Sequence, residues 1–226
     1  MDIRLAGTIS FLIGIAASFV ILWVITDRYQ KKIHERDTMT TYVIGLFAGI
    51  IVVVGHLYII NSGDLGVVLV SSVLLSFAEV LLYHIYLNRT KFRGRTDLPF
   101  IGSSFALGIS GMYILFISGQ ILANTDPSID VILGMILFCI SVSVIRLSTV
   151  LLLCRGETGG KVNVKLIKGV ITSTSLLSVF NLIALIYLIF EFLWTFAVMV
   201  TVWSILSLFF LIGDLSKVPN MPPSDD

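Results

Sequence analysis

Seven continuous apolar runs, each about 20 residues long, follow one another along this chain, separated by short polar clusters. A run of this length crosses the hydrocarbon core of a bilayer as an α-helix, and its lack of apolar–polar alternation favours helices over the strands of a membrane barrel. Only 13% of the residues are charged, against roughly 25% in soluble domains. The sequence therefore predicts an all-α, polytopic membrane protein, built as a bundle of seven transmembrane helices.

The seven predicted spans form a single transmembrane domain over residues 1–215 and leave a short tail at 216–226. The tail contains Pro219, Pro222 and Pro223 and is predicted to be disordered. Glu191, flanked by aromatic residues, is expected to mark a tight interfacial turn between the last two spans. The expected spans are 5–26, 41–61, 66–87, 99–123, 130–154, 168–190 and 192–215.

The distribution of lysine and arginine among the loops predicts the orientation in the membrane. The second loop, the fourth loop and the turn at Glu191 contain neither residue type, whereas the first, third and fifth loops are basic. Basic loops stay in the cytoplasm, so we expect the N-terminus outside and the C-terminus inside the plasma membrane, with these loops beside anionic lipids. The cations are Arg28, Lys31, Lys32 and Arg36 in the first loop, Arg89, Lys91, Arg93 and Arg95 in the third, and Arg155, Lys161, Lys165 and Lys168 in the fifth.

Small residues indicate which helix faces pack closely. Gly45 and Gly49 have GxxxG spacing in the second span, and Gly108 belongs to a glycine-rich fourth span. Residues without bulky side chains let helix backbones approach each other in a membrane. The pattern predicts a tightly packed bundle in which these glycines lie at helix–helix contacts.

Glu79 in the third span and Arg146 in the fifth are strongly ionisable residues deep within apolar runs. A charged side chain at the centre of a membrane helix costs about 2.5–3.5 kcal/mol on insertion scales, so each needs a partner or a function. Both spans run from outside to inside, and at 1.5 Å per residue both residues lie roughly 12 Å from the inner boundary. We therefore expect an interhelical Glu79–Arg146 ion pair. It would be a structural lock or part of a substrate or proton site; the alternative is that Arg146 snorkels alone toward the membrane interface.

Polar residues recur at helical spacing around these two charges. Ser72, Ser76 and Tyr83 share a stripe with Glu79, and Ser143 lies one turn before Arg146. The sixth span carries a second stripe. Such stripes hold neighbouring helices together or line a hydrophilic path. The second stripe consists of Thr174, Ser178 and Asn181.

Composition and motifs exclude several classes of site. A formal net charge of +1 gives no reason to expect a nucleic acid as a partner. The three histidines, His34, His56 and His84, are dispersed along the chain, and Cys139 and Cys154 form no metal-binding motif. We therefore expect neither a metal nor another cofactor.

One stretch resembles a known family. Residues 76–83 read SFAEVLLY and are followed by a basic loop with Asp97 and by the glycine-rich segment 102–108, GSSFALG. This order resembles the PrsW-type intramembrane metalloproteases, in which a helix with the motif EExxK precedes a loop with an acidic residue and then a glycine-rich helix. Asn181 also lies where that family tends to have a histidine–asparagine patch. The resemblance covers about half of the chain.

The family's catalytic residues are largely missing from this sequence. Of the EExxK motif only Glu79 is present, because Val80 and Tyr83 stand in place of the second acid and the lysine. Gly111 and Met112 occupy the place in the fourth span where an acid is expected. A single carboxylate cannot hold zinc and activate a water. The resemblance therefore implies a member of the family without its catalytic set.

Three functions are compatible with these features. The first is a non-catalytic membrane protein, a subunit or scaffold that packs against the spans of other proteins or against further copies of itself. The second is a small transporter or channel whose polar path includes Glu79, Arg146 and Asn181. The third is a divergent PrsW-like intramembrane protease. We favour the first, because the sequence contains no recognisable catalytic set.

Overall fold

The computed structural model describes residues 8–27, 35–60, 65–92, 95, 97–124, 128–156, 164–190 and 193–215. Within these ranges the regular secondary structure is helical, without any β-strand. The helices are α1, made of the π-helical turn Leu12–Ala16 and the α-helix Ala17–Asp27, then α2 (Glu35–Ile60), α3 (Leu65–Leu87), α4 (Leu98–Asn124), α5 (Ile129–Gly156), α6 (Val164–Phe190) and α7 (Leu193–Leu215).

Five of these helices, α2 to α6, are long and apolar enough to cross a membrane. The described parts of α1 and α7 contribute shorter apolar stretches, Thr8–Val24 and Ala197–Phe209. These lengths confirm the predicted all-helical architecture and are those of an integral membrane protein. The turn expected at Glu191 and the tail 216–226 lie outside the described residues.

Two helices begin several residues earlier than their apolar runs. Helix α2 starts at Glu35 rather than at residue 41, and α6 starts at Val164 rather than at residue 168. The first turn of α2 carries Glu35 and Asp37, and carboxylates there interact favourably with the positive end of the helix dipole. The helices thus continue past the apolar boundary into charged sequence, which hydropathy alone does not reveal.

Helices α4 and α5 form the centre of the bundle. In their apolar stretches 78% and 67% of the residues are buried, compared with 33% in α3. Helix α4 packs against α1, α2 and α5, whereas α5 packs against α4, α6 and α7. Helix α3 lies mainly against α6 and has little direct contact with α5. A side chain that joins α3 to α5 must therefore be long.

The three glycines predicted to lie at helix contacts face the α2–α4 interface. A Cβ atom on Gly45 would collide with the carbonyl oxygen of Phe105, and one on Gly108 would collide with the carbonyl oxygen of Tyr42. Gly49 lies one turn further along α2 and faces the same helix. Since the backbones themselves are in contact here, no larger residue fits at Gly45 or Gly108 without moving one helix away from the other.

Backbone carbonyl groups of the π-helical turn in α1 accept hydrogen bonds from side chains of two other helices. A π turn shifts the backbone hydrogen bonds to i→i+5, which leaves carbonyl groups available to outside partners. The hydroxyl of Tyr42 donates to the carbonyl oxygen of Ile15 at 3.0 Å, and the thiol of Cys139 donates to that of Ile13 at 3.1 Å. Contacts from α2 and α5 therefore stabilise the irregular turn.

The outward faces of the bundle are apolar. Large hydrophobic side chains such as Phe47 on α2, Leu74 on α3 and Phe209 on α7 are more than 60% exposed. A soluble protein rarely exposes contiguous apolar faces of this extent, whereas lipid tails solvate them. This surface is that of a protein in contact with the bilayer.

A charged cluster ties the α3–α4 loop to the start of α2. Asp37 accepts hydrogen bonds from Lys91 at 2.7 Å and from Arg95 at 2.6 Å. Arg95 also donates from Nε and Nη2 to the two carboxylate oxygens of Asp97 at 2.8 and 2.6 Å. These bonds to Asp97 and Asp37 raise the pKa of the Arg95 guanidinium above its ordinary value. Arg95 is thus a charged bridge between two acids at this end of the bundle.

Candidate functional site

Glu79 and Arg146 meet in the interior of the bundle. Nε of Arg146 donates to Oε1 of Glu79 at 2.7 Å, and Nη2 donates to Oε2 at 3.3 Å. Both side chains are fully enclosed, with 0% of their surface exposed. The guanidinium of Arg146 spans the gap between α5 and α3, two helices with little other direct contact. The structure thus brings into direct contact the two residues that were expected to pair.

Aromatic side chains surround the charged pair. The Tyr83 hydroxyl, one turn further along α3, donates to Oε1 of Glu79 at 2.7 Å. Cζ of Arg146 lies 4.4 Å from the ring centroid of Tyr113 and 5.4 Å from that of Phe180. A guanidinium held over ring faces is stabilised by the ring quadrupoles, most strongly where water is excluded. The pair is therefore stabilised by hydrogen bonds on one side and by π faces on the other.

Asn181 links α6 to α3 beside this pair. Its Nδ2 donates to the hydroxyl oxygen of Ser76 at 2.8 Å, and both residues are fully buried. The Ser76 hydroxyl in turn donates to the carbonyl oxygen of Ser72, one turn earlier on α3. The stripe that includes Asn181 was expected either to hold neighbouring helices together or to line a hydrophilic path. The hydrogen bond seen here joins two helices. Ser72 bonds within its own helix, to the carbonyl oxygen of Leu69.

The remaining polar residues singled out in the sequence have less specific surroundings. Ser178 donates to the carbonyl oxygen of Thr174 at 2.7 Å, a local bond that serines within helices commonly make. The hydroxyl groups of Thr174 and Ser143 are buried and have no hydrogen-bond partner within the described structure. Ser143 lies one turn from Arg146 on α5 and so faces the same region.

Two residues in this region were not singled out as site residues from the sequence. His56 on α2 and Tyr113 on α4 are both completely buried. Their ring centroids are 5.0 Å apart with the rings nearly edge to face. The ring of His56 is also close enough to Arg146 and Glu79 for their charges to act on it. A lone histidine near the end of an apolar run gave no indication of these contacts.

We refer to these buried side chains together as the polar centre. Five helices, α2 to α6, contribute to it. Several of its polar atoms have no hydrogen-bond partner within the described structure, although all of them are buried. A buried polar atom without a partner is uncommon in native structures and needs an explanation. The polar centre consists of His56, Ser76, Glu79, Tyr83, Tyr113, Arg146 and Asn181; the unpartnered atoms are Nε2 of His56, Oη of Tyr113, Nη1 of Arg146 and Oδ1 of Asn181.

The carboxylates of Glu79, in the polar centre, and of Asp97, at one end of the bundle, are already bound to cations. Glu79 accepts hydrogen bonds on both oxygens, and Asp97, in the α3–α4 loop, is held by Arg95. Among the described residues, no group of three or more His, Cys, Asp or Glu side chains comes together as a metal site would require. Comparison with known proteins finds no matching family model, curated protein or solved structure. The chemistry of the polar centre is therefore the basis for assigning a function.

Proposed function

We propose that this chain is a non-catalytic plasma-membrane protein, a subunit or scaffold of a larger membrane assembly. In this proposal all seven helices span the bilayer, with the N-terminus outside and the C-terminus in the cytoplasm. The basic loops support this orientation, since the first, third and fifth loops carry the lysines and arginines whereas the second and fourth carry none. The apolar outer faces supply the surface that would contact lipid and partner spans.

The observation that carries the non-catalytic assignment is the enclosure of Glu79. A general acid, a general base or a metal ligand must reach a substrate, a water or an ion. Here both carboxylate oxygens accept hydrogen bonds from Arg146, one also accepts from Tyr83, and the side chain has no exposed surface. We infer that the pair is a permanent lock, which joins α3 to α5 and holds the bundle in one arrangement.

A rigid bundle of this kind acts through the surfaces it presents. Helix α3, which the lock joins to the rest of the bundle, leaves about two thirds of its apolar stretch unburied, because 33% of it is buried. Side chains along α2 and α7 are likewise open to lipid or to partner helices. We infer that partner spans dock on these faces, where shape and small polar contacts rather than hydrophobicity determine binding in a membrane.

Photo-crosslinking in the native membrane tests the subunit proposal. A photoreactive phenylalanine analogue at Phe47 or Phe209, both on outer faces, is expected to give discrete bands of higher mass that contain a partner chain. The same analogue at Phe105, which is 2% exposed, is the matched control and should give none. If the outer positions yield adducts with lipid alone, the subunit proposal is wrong.

A transporter or channel is the second candidate, and the unpartnered atoms of the polar centre favour it. A hydrophilic path would bring water to Ser76 and Ser143, so cysteines at these positions should react with a water-soluble maleimide in a chain whose Cys139 and Cys154 are replaced by alanine. A cysteine at Leu74, which is 63% exposed toward lipid, is the control. Labelling at neither serine position would count against a path.

The resemblance to PrsW-type proteases leads to the third candidate. It predicts metal-dependent cleavage of a membrane substrate that Glu79→Gln abolishes. The sequence order around Glu79 supports it, whereas the engagement of both Glu79 oxygens is unfavourable to it. Cleavage that persists after chelation of the metal, or no cleavage at all, would remove this candidate.

A further inference from the structure

We propose that the polar centre is a binding site for a small neutral molecule that both donates and accepts hydrogen bonds. The molecule would contact the four unpartnered atoms on His56, Tyr113, Arg146 and Asn181. This inference is independent of the proposed role as a subunit, since it concerns the interior of the bundle rather than its outer surface.

The hydrogen-bonding capacities of the four atoms define the chemistry of the ligand. Nη1 of Arg146 can only donate, and the hydroxyl of Tyr113 can donate as well as accept. Nδ1 of His56 lies 3.1 Å from the carbonyl oxygen of Val52, which can only accept, and donates to it in the tautomer whose ring proton is on Nδ1. Nε2 of the uncharged ring is then an acceptor, as is Oδ1 of Asn181. A ligand that satisfies all four must offer both donors and acceptors.

The four atoms belong to side chains grouped around one ring. The ring of Tyr113 is 4.4 Å from Cζ of Arg146 and 5.0 Å from the centroid of the His56 ring. Asn181 follows Phe180 on α6, and the ring of Phe180 lies 5.7 Å from that of Tyr113. Side chains from α2, α4, α5 and α6 that carry the four atoms therefore lie close to one another in the interior of the bundle.

The charge of the polar centre argues against an ion as the ligand. Glu79 and Arg146 compensate each other at 2.7 Å, so the pair has no net charge. An anion bound at Nη1 of Arg146 would lie close to the Glu79 carboxylate, and a cation bound near Glu79 would lie close to the guanidinium. Repulsion of this kind is strong where water is excluded. A neutral ligand avoids both interactions.

Two sources can supply such a molecule. Water is the smallest, and buried waters typically make two to four hydrogen bonds to polar groups that have no protein partner. A small organic solute with a carbonyl group and an N–H or O–H group has the same combination of acceptor and donor. The shared chemistry is a neutral, uncharged group that accepts from Arg146 and Tyr113 and donates to His56 and Asn181.

The substitution Tyr113→Phe tests the proposed binding site through the direction in which the thermal unfolding midpoint changes. The hydroxyl is the only polar atom of that side chain and has no protein partner among the described residues. If a bound molecule contacts the hydroxyl, its removal lowers the thermal unfolding midpoint of the purified protein. If the hydroxyl is unpaired, removing it relieves a buried unsatisfied group and raises the midpoint.

Two matched tyrosine variants calibrate this measurement. Tyr83→Phe removes a hydroxyl that donates to Glu79 and should lower the midpoint in either case. Tyr58→Phe, at a side chain that is 83% exposed, should leave it unchanged. A fall for Tyr113→Phe comparable with that for Tyr83→Phe supports the binding site, whereas an unchanged or raised midpoint overturns it.

Infrared spectroscopy of the unmodified protein tests the same site without any substitution and separates the two sources. An O–H stretching band of weakly hydrogen-bonded internal water that shifts in H2(18)O and is lost in Tyr113→Phe identifies water. A stoichiometric small compound released on denaturation and detected by mass spectrometry identifies an organic solute. The absence of both signals in the folded protein would show that the site is empty and would contradict the proposal.

Discussion

Replacing the two charged residues of the lock, singly and together, is the most informative perturbation of this bundle. The variants are Arg146→Met, Glu79→Leu and the double variant, which substitute apolar side chains of similar length or volume. In the native pair each charge compensates the other inside a space without exposed surface. Removing one partner leaves the other as an uncompensated buried charge, whereas removing both leaves none.

The structure predicts different costs for the two single substitutions. After Arg146→Met, the one donor to the Glu79 carboxylate that remains among the described residues is the Tyr83 hydroxyl, and we expect a loss of about 3–5 kcal/mol in the free energy of unfolding. After Glu79→Leu, the Arg146 guanidinium keeps its contacts with the faces of Tyr113 and Phe180. Such cation–π contacts contribute up to about 2 kcal/mol when desolvated, but they are already present in the native protein. Because a guanidinium cannot lose its proton whereas a carboxylate can gain one, the loss should be as large or larger.

The double variant should be close to neutral. Apolar replacement of a buried ion pair is often neutral or stabilising by about 1–4 kcal/mol, and here the Tyr83 hydroxyl loses its acceptor, at a cost of about 1–3 kcal/mol. These two contributions nearly cancel. The two single losses should therefore exceed the double loss by about 3 kcal/mol or more, at the upper end of couplings measured between contacting residues.

The assay is reversible unfolding by SDS in mixed micelles, followed by the fluorescence of the tryptophans. The control is the same set of two single variants and one double variant for the pair of Lys91 and Asp37. These two residues are also 2.7 Å apart, but the Lys91 side chain is 62% exposed. Pairs of that kind contribute about 0.2–1 kcal/mol, so the control should be nearly additive. Losses from Glu79→Leu and Arg146→Met that add to within about 0.5 kcal/mol would refute the ion pair.

Two further substitutions test the packing of α4 and α1. Gly108→Ala is expected to lower the free energy of unfolding by about 1–3 kcal/mol, because its Cβ would collide with the backbone of α2. The control Gly119→Ala, whose Cβ would lie 3.8 Å from the hydroxyl of Ser10, should have no such effect, and equal losses in SDS unfolding would contradict the close approach. Tyr42→Phe removes the hydroxyl that donates to the carbonyl oxygen of Ile15 and should cost about 0.5–1.5 kcal/mol. An unchanged midpoint would show that the π turn in α1 needs no donor from α2.

The fold follows from features that are local in the sequence. Apolar runs long enough to cross a bilayer determine the helices, and glycines such as Gly45 and Gly108 mark helix faces that pack closely because only a missing side chain allows backbone contact. That Gly45 and Gly108 face each other is shown by the structure alone. The partner of Glu79 was also predictable, since depth along a helix can be counted from its ends and Arg146 is the opposite charge at the same depth. The length of the apolar runs, and the sign and position of the charged residues within them, are sufficient to predict the helices and this pair.

The rest of the polar centre depends on information that the sequence does not carry locally. Whether His56 faces lipid or the bundle depends on the rotation and tilt of α2, which packing against α4 determines. Tyr113 lies in a helix that is apolar on most faces, so no periodic pattern distinguishes its position from that of its neighbours. The π turn in α1 likewise depends on the donors of Tyr42 and Cys139, which belong to distant parts of the chain.

The mass of the intact protein, extracted with its surrounding lipid from its own membrane, tests the central claim most directly. Native mass spectrometry should show this chain in a stoichiometric assembly with other membrane proteins or with further copies of itself, as a subunit or scaffold requires. The partner chains would then be identified from their masses. A lone monomer under the same gentle extraction would contradict the subunit assignment and favour transport through the polar centre.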